Sequence, residues 1–178
     1  MRLSRSWAMP NSSTFRIKPI GEFVERWMLG EKWIDPFVRD SPFKARMWRS
    51  NDLDPKYKAT RNLDALDFLG RFDSCSVDGV LFDPPYSPRQ IAECYGGIGR
   101  KASQRDTQSR FWGDLKKEIA RIVKPGGLAL TFGWNSGGCG QSNGFHLQEV
   151  LIVAHGGWHN DTICTAELRG PAVVGIPF

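Results

Sequence analysis

The residues best suited to chemistry lie together in Val80-Leu81-Phe82-Asp83-Pro84-Pro85-Tyr86-Ser87. An apolar run there ends abruptly in a carboxylate, two prolines and an aromatic ring. Proline cannot continue a central strand, so Asp83 is set at the strand's carboxyl end, where open α/β sheets bind ligands. One reaction fits these groups well. The lone pair of an aromatic exocyclic amine is delocalised into its ring, which makes the amine a poor nucleophile. Two acceptors on its two hydrogens draw it towards sp³ and aim the lone pair at an incoming methyl group. Asp83 supplies one acceptor, the Pro84 carbonyl supplies the other, and Tyr86 offers a stacking face for a base taken out of a helix. Such catalysis rests on orientation and electrostatics. The plainer reading of the same residues is a strand followed by a rigid turn, with Tyr86 capping the core.

The elements that would position this group follow from periodicity. Pro19 suits a first helical turn, and Ile20, Phe23, Val24, Trp27 and Met28 repeat at helical spacing up to Gly30. Lys32 to Ile34 reads as a short strand before Asp35-Pro36-Phe37, and Ala45 to Ser50 as a second one. Val77 to Phe82 is a buried strand. Phe111 to Val123 is a helix with Leu115, Ile119 and Ile122 on one face, stopped by Lys124-Pro125-Gly126-Gly127. Leu128 to Phe132 is a further strand. Leu147 to Ala154 and Thr162 to Leu168 are joined by a linker short enough for an antiparallel hairpin. Residues 1–14 read as an irregular arm and 87–110 as a mobile basic loop. The sum is one α/β domain over 1–178, its sheet mostly parallel with an antiparallel C-terminal hairpin and reduced helices.

Composition narrows the class. Lys and Arg total 24 against 19 acidic residues, a net +5 that is compatible with a polyanionic partner. Cys75, Cys94, Cys139 and Cys164 form no CxxC pair, which argues against a zinc knuckle or a disulfide framework. His155 and His159 flank a Gly-Gly turn and suggest no metal site. Gly96-Gly97-Ile98-Gly99 and Gly137-Gly138-Cys139-Gly140 lack the strand and the Lys-Ser/Thr of a phosphate loop. No signal peptide or membrane span is visible, so a cytoplasmic protein, in a bacterium or a phage-infected cell, is expected. Trp27 and Trp33 are expected in the core. Trp112 and Trp134 lie beside the catalytic strand ends and are candidates to line a base pocket.

The motifs and their order resemble a family. Asp83-Pro84-Pro85-Tyr86 resembles the catalytic motif of the amino-group DNA methyltransferases, particularly the short phage and prophage adenine enzymes. Lys18-Pro19 resembles that family's helix beside the methionine part of S-adenosyl-L-methionine, and Asp35-Pro36-Phe37 its cofactor-binding turn. Asn51-Asp52-Leu53-Asp54-Pro55 is similar to the acidic strand end that holds the ribose hydroxyls, and Asp64-Ala65-Leu66 to the segment gripping the cofactor adenine. The resemblance implies a Rossmann-like fold and methyl transfer to adenine N6 in DNA on a flipped-out base. Cytosine N4, adenine in RNA and an inactive DNA-binding relative are the alternatives. A glutamine methyltransferase normally carries Asn where Asp83 stands.

The chain departs from the family twice. Phe37-Val38-Arg39-Asp40-Ser41-Pro42 contains none of the glycines usual in the turn, and about a dozen residues after Asp35 are too few for a full crossover helix. No separate target-recognition domain is visible. The segment Arg89 to Arg110 holds Arg89, Arg100, Lys101, Arg105 and Arg110 against Glu93 and Asp106, a net +3 suited to phosphate contacts. A homodimer is compatible with the sequence.

Overall fold

The computed structural model describes residues 1–85, 87–99 and 109–171. Among the described residues seven strands form one sheet: β1 (Arg2–Trp7), β2 (Trp33–Asp35), β3 (Arg49–Ser50), β4 (Val77–Phe82), β5 (Val123–Gly133), β6 (Phe145–Ala154) and β7 (Thr162–Arg169), in the order β1-β6-β7-β5-β4-β2-β3. β7 runs antiparallel to both β5 and β6, and every other pairing is parallel. The carboxyl ends of β2, β3, β4, β5 and β6 therefore share one rim.

Helices cover both faces. α1 (Lys18–Trp27) buries Ile20, Phe23 and Val24 against Leu81, Leu130, Phe132 and Val153. α2 (Ala65–Leu69) and α4 (Ser109–Ile122) bury Phe68, Leu69, Leu115, Ile119 and Ile122 against Ile34, Val80, Phe82 and Ala129 on the other face. Leu81 points one way and its neighbours Val80 and Phe82 the other, as the two-residue period of a doubly covered strand requires. Trp33 is buried as expected, its indole lying where a Cβ on Gly79 would stand 2.5 Å from the ring. Trp27 is only partly buried; its indole NH donates to Glu149 at 2.8 Å.

Asp78 clips the start of β2 to β4. It accepts the Glu31 and Lys32 amides at 2.8 and 2.9 Å and pairs with Lys124 at 2.5 Å. The Lys124 ammonium, with the Lys32 amide after it, holds this carboxyl down at about 2.

Three expectations need correction. Residues 2–7 are not an irregular arm but the edge strand β1, registered from Arg2↔Glu149 to Trp7↔Ala154. They carry no buried side chain, so periodicity could not reveal them; main-chain pairing to β6 and the Arg2–Glu149 ion pair hold them. The segment after the prolines is not a loop throughout: Pro88–Gly97 is a helix, α3, capped by Ser87, whose hydroxyl accepts the Gln90 amide at 3.3 Å. Serine at the cap and proline in the first turn start it despite a polar composition. Of Ala45–Ser50 only Arg49–Ser50 is strand, because Lys44–Arg46 winds into a 3-10 turn. That turn takes the place of a crossover helix between β2 and β3.

Candidate active site

A cleft of about 720 Å³ opens along the rim where β2, β3, β4 and β5 end. Each end places a different group. β4 delivers Asp83, Pro84 and Pro85 into its wall, and β5 delivers Trp134, which is 45% exposed. The β3 end supplies Asn51, Asp52 and Leu53, and the start of α2 supplies Asp64 and Ala65. Pro36 and Phe37 line the cleft, whereas Asp35 lies fully buried beneath it.

The β3 corner is knitted by polar side chains. Asn51, 1% exposed, donates to the carbonyls of Pro36 and Leu63 and accepts the Leu63 amide at 3.0 Å, tying three segments together. Asp52 accepts the Arg39 amide at 3.0 Å on one oxygen and the Asp54 amide at 2.9 Å on the other. Burial outweighs these bonds and raises its pKa. Both oxygens retain acceptor capacity towards the cleft. Arg39, in the glycine-free turn after β2, adopts φ 40. Its guanidinium lies 5.7 Å from the Tyr57 ring centroid. The turn thus takes a left-handed step without a glycine, held by Asp52 and Tyr57.

Asp35 has a different environment. One oxygen accepts the Phe37 amide at 2.8 Å, and Oδ2 has no hydrogen-bond partner among the described residues. Desolvation raises its pKa well above the ordinary value, and the charges of Asp83 and Asp52 add to the rise. Asp83 and Asp52 line the cleft, and the buried Asp35 lies close enough to feel both charges. Negative charge in the cleft lining suits a cationic ligand.

α3 lines the cleft through Gln90, Ile91, Cys94 and Tyr95. Its Tyr95 hydroxyl donates to Asp64 at 2.8 Å, while the other Asp64 oxygen caps α2 by accepting the Leu66 amide. Asn11, Ser12 and Thr14 of the N-terminal segment, His155 and the hairpin turn also line the cleft. His155 is engaged through Nδ1 with the Ala8 carbonyl at 2.9 Å and through Nε2 with the Thr162 hydroxyl at 2.8 Å. No group of three or more metal-ligating side chains occurs among the described residues.

The other candidates are placed as follows. Lys18 and Pro19 open α1 but do not line the cleft, and Lys18 is exposed beside Glu22. Trp112 stands behind the turn, its indole donating to the Pro85 carbonyl at 3.1 Å, so it braces the β4 end without entering the wall. Arg89 and Arg110 are exposed and pair with Glu93 and Asp114 on their own helices. Tyr86, Arg100, Lys101 and Arg105 lie outside the described residues. Sequence reasoning missed Asn51, Arg39, Tyr57 and Tyr95. Asn51 and Arg39 sat inside segments already singled out; Tyr57 and Tyr95 reach the cleft only through tertiary contacts.

Neither a protein-family model nor a curated protein matches the sequence. Solved structures do match. TrmN from Thermus thermophilus superposes with a TM-score of 0.58 at 15% identity, over 86% of this chain and 49% of that one. Precorrin-6y C5,15-methyltransferase from Geobacter metallireducens reaches 0.56 at 9% identity, over 93% and 95%. The fold is that of the Rossmann-like methyltransferases. The N-methyltransferase NodS from Bradyrhizobium japonicum, in complex with S-adenosyl-L-homocysteine, also matches at 0.56 and 9% identity, over 90% of both chains. The chain spans about half the length of the Thermus protein. Within this methyltransferase fold the cleft lies at the strand ends, on the side where α/β sheets take ligands. No helix among the described residues is long and apolar enough to cross a membrane.

Proposed function

We propose that the chain is an S-adenosyl-L-methionine-dependent methyltransferase acting on adenine N6 in DNA, with the base flipped into the cleft. The observation that carries this reading is the position of Asp83-Pro84-Pro85 in the cleft wall, in the same cavity as Asp52 and Asp64. The residues present fit the cofactor. Asp52 offers acceptors for ribose hydroxyls in a partly desolvated corner, Leu53 and Ala65 offer apolar surface, and the carboxyl groups of Asp52 and Asp83 in the cleft lining favour a cation. When bound, the cofactor supplies an electrophilic methyl group carried on a sulfonium.

The protein's own part is orientation. Asp83 accepts one hydrogen of the target amine and the Pro84 carbonyl accepts the other, which directs the nitrogen lone pair. Trp112, bonded to the Pro85 carbonyl, fixes the turn that carries both acceptors. Trp134 provides an aromatic face in the wall, and Tyr86 follows the prolines in sequence with a second.

The same acceptors serve cytosine N4 in DNA and adenine in RNA, so the product decides the polymer and the base. Purified protein is incubated with methyl-labelled cofactor and unmethylated DNA or RNA, and the polymer is digested to nucleosides. N6-methyldeoxyadenosine is the expected product. Label in N4-methyldeoxycytidine or in a ribonucleoside would redirect the assignment, and absence of label from both polymers would remove it.

A further inference from the structure

Positive charge is concentrated at the β3 edge of the sheet. Lys44 to Arg61 holds six cations, Lys44, Arg46, Arg49, Lys56, Lys58 and Arg61, against only Asp52 and Asp54. That net +4 compares with +5 for the whole chain. Asp52 belongs to the cleft, Asp54 is taken by Lys56, and Arg46 pairs with Glu25 of α1. Arg49, Lys58 and Arg61, with Lys32 at the approach to β2, are exposed and form no ion pair among the described residues.

These cations are organised by the fold. Arg61 bridges in parallel to Asn51, its amide donating to the Ser50 carbonyl at 3.0 Å, and the Thr60 hydroxyl accepts the Ser50 amide at 2.9 Å. A run outside β3 thus sets Arg61 beside β3, about 4.8 Å from the strand carrying Arg49. Lys58 precedes it in a left-handed conformation at φ 47. The Arg49 guanidinium lies 4.7 Å and the Lys32 ammonium 5.3 Å from the centroid of the Trp48 ring. Cations held on an indole lose less freedom when they meet an anion. The strip reaches the cleft through Lys56 and Arg39, which line it.

We propose that this β3 edge binds the sugar-phosphate backbone of the nucleic acid whose base enters the cleft; the proposal rests on the reading of the substrate as a nucleic acid. A polymer threaded through a cleft at the strand ends must leave over a rim, and this rim carries the charge it requires. An anionic membrane fits less well, because the Trp48 ring is occupied by cations and does not offer a free apolar wedge. Phosphate contacts of this kind grip without reading sequence.

The test is fluorescence anisotropy of labelled duplex DNA and an RNA hairpin from about 50 to 200 mM salt, where each lost phosphate contact flattens the log–log slope by about 0.9 on duplex DNA. R49A/K58A/R61A should flatten the slope by about 2 to 3 and weaken binding at least tenfold at the lowest salt. R49K/R61K should keep most of it. S-adenosylhomocysteine affinity and thermal unfolding should match the parent. Parental slope and affinity in the triple alanine variant, or no salt-dependent binding by the parent protein, would overturn the proposal. So would anionic vesicles or polyglutamate competing as well as unlabelled DNA. If the parent yields no methylated nucleoside but the triple variant loses its slope, the surface stands and the catalytic reading falls. If the parent methylates and the triple variant keeps its slope, the catalytic reading stands and the surface falls.

Discussion

Two neighbouring strands lead into the same dipeptide and do different things with it. β2 ends at Asp35, just before Pro36, and β4 ends at Phe82, just before Asp83-Pro84, and the strands pair in parallel through Trp33↔Gly79 and Ile34↔Val80. In both, proline stops the strand and leaves the aspartate at the rim. Asp35 is fully buried, folds back onto the Phe37 amide and has its pKa raised by desolvation. Asp83 opens into the cleft wall. A strand-end aspartate is therefore architectural or chemical according to its depth, and depth is set by what lies over it. The first is closed off by its own turn, accepting the Phe37 amide, whereas the second lies in the cleft wall.

A third aspartate, at the β3 corner, combines both roles and gives the largest expected effect on cofactor binding. Asp52 serves the turn and the proposed ribose contact, so Asp52→Ala should weaken S-adenosylhomocysteine binding by about 10- to 100-fold, the cost of losing hydrogen bonds to a charged acceptor. Calorimetry on the folded variant reads this directly, and parental affinity would move the cofactor elsewhere.

Asp35 gives a pH signature. Its pKa is higher folded than unfolded, so its contribution to stability is complete below the unfolded value near 4 and is lost as pH rises through the folded value. Asparagine does not ionise. Asp35→Asn should therefore gain stability relative to the parent as pH rises above about 4, measured by urea unfolding. Parallel curves for the two proteins would show that Asp35 is ionised at no cost.

The smallest effect concerns the turn. A side chain in the left-handed region costs about 1 kcal/mol, which glycine avoids. Arg39→Gly relieves that strain but loses the Tyr57 contact, so its stability should stay within about 1 kcal/mol of the parent. Arg39→Val, β-branched and unable to reach Tyr57, should fall below both in thermal unfolding. Equal melting of the Gly and Val variants would mean that the positive φ is not what constrains this position.

Legibility in the sequence followed burial. α1, α4, β4 and the β6–β7 hairpin carry apolar residues at their element's own period, and their cores lie where that period places them. β1 and α3 lack such a signal. β1 has no buried side chain, and within α3 Ile91 is the buried hydrophobic anchor. Both are held by contacts that have no local signature: a parallel register with β6, and the Tyr95–Asp64 bond across 31 residues. The same holds in the cleft. Asp83, Asp52 and Asp64 follow strand or helix boundaries and could be found from turn chemistry, but Arg39 and Tyr57 matter because they meet in space. The missing glycines marked the turn as unusual without showing that Arg39 would take the glycine's conformation.

Everything proposed for the cleft turns on Asp83 orienting the amine that receives the methyl group. The direct measurement is methyl transfer and S-adenosylhomocysteine affinity in Asp83→Ala beside the parent, with labelled cofactor and the same DNA. A fall in rate of about 10²-fold or more, with cofactor affinity retained, is the expected result. Turnover near the parental rate would rule that role out.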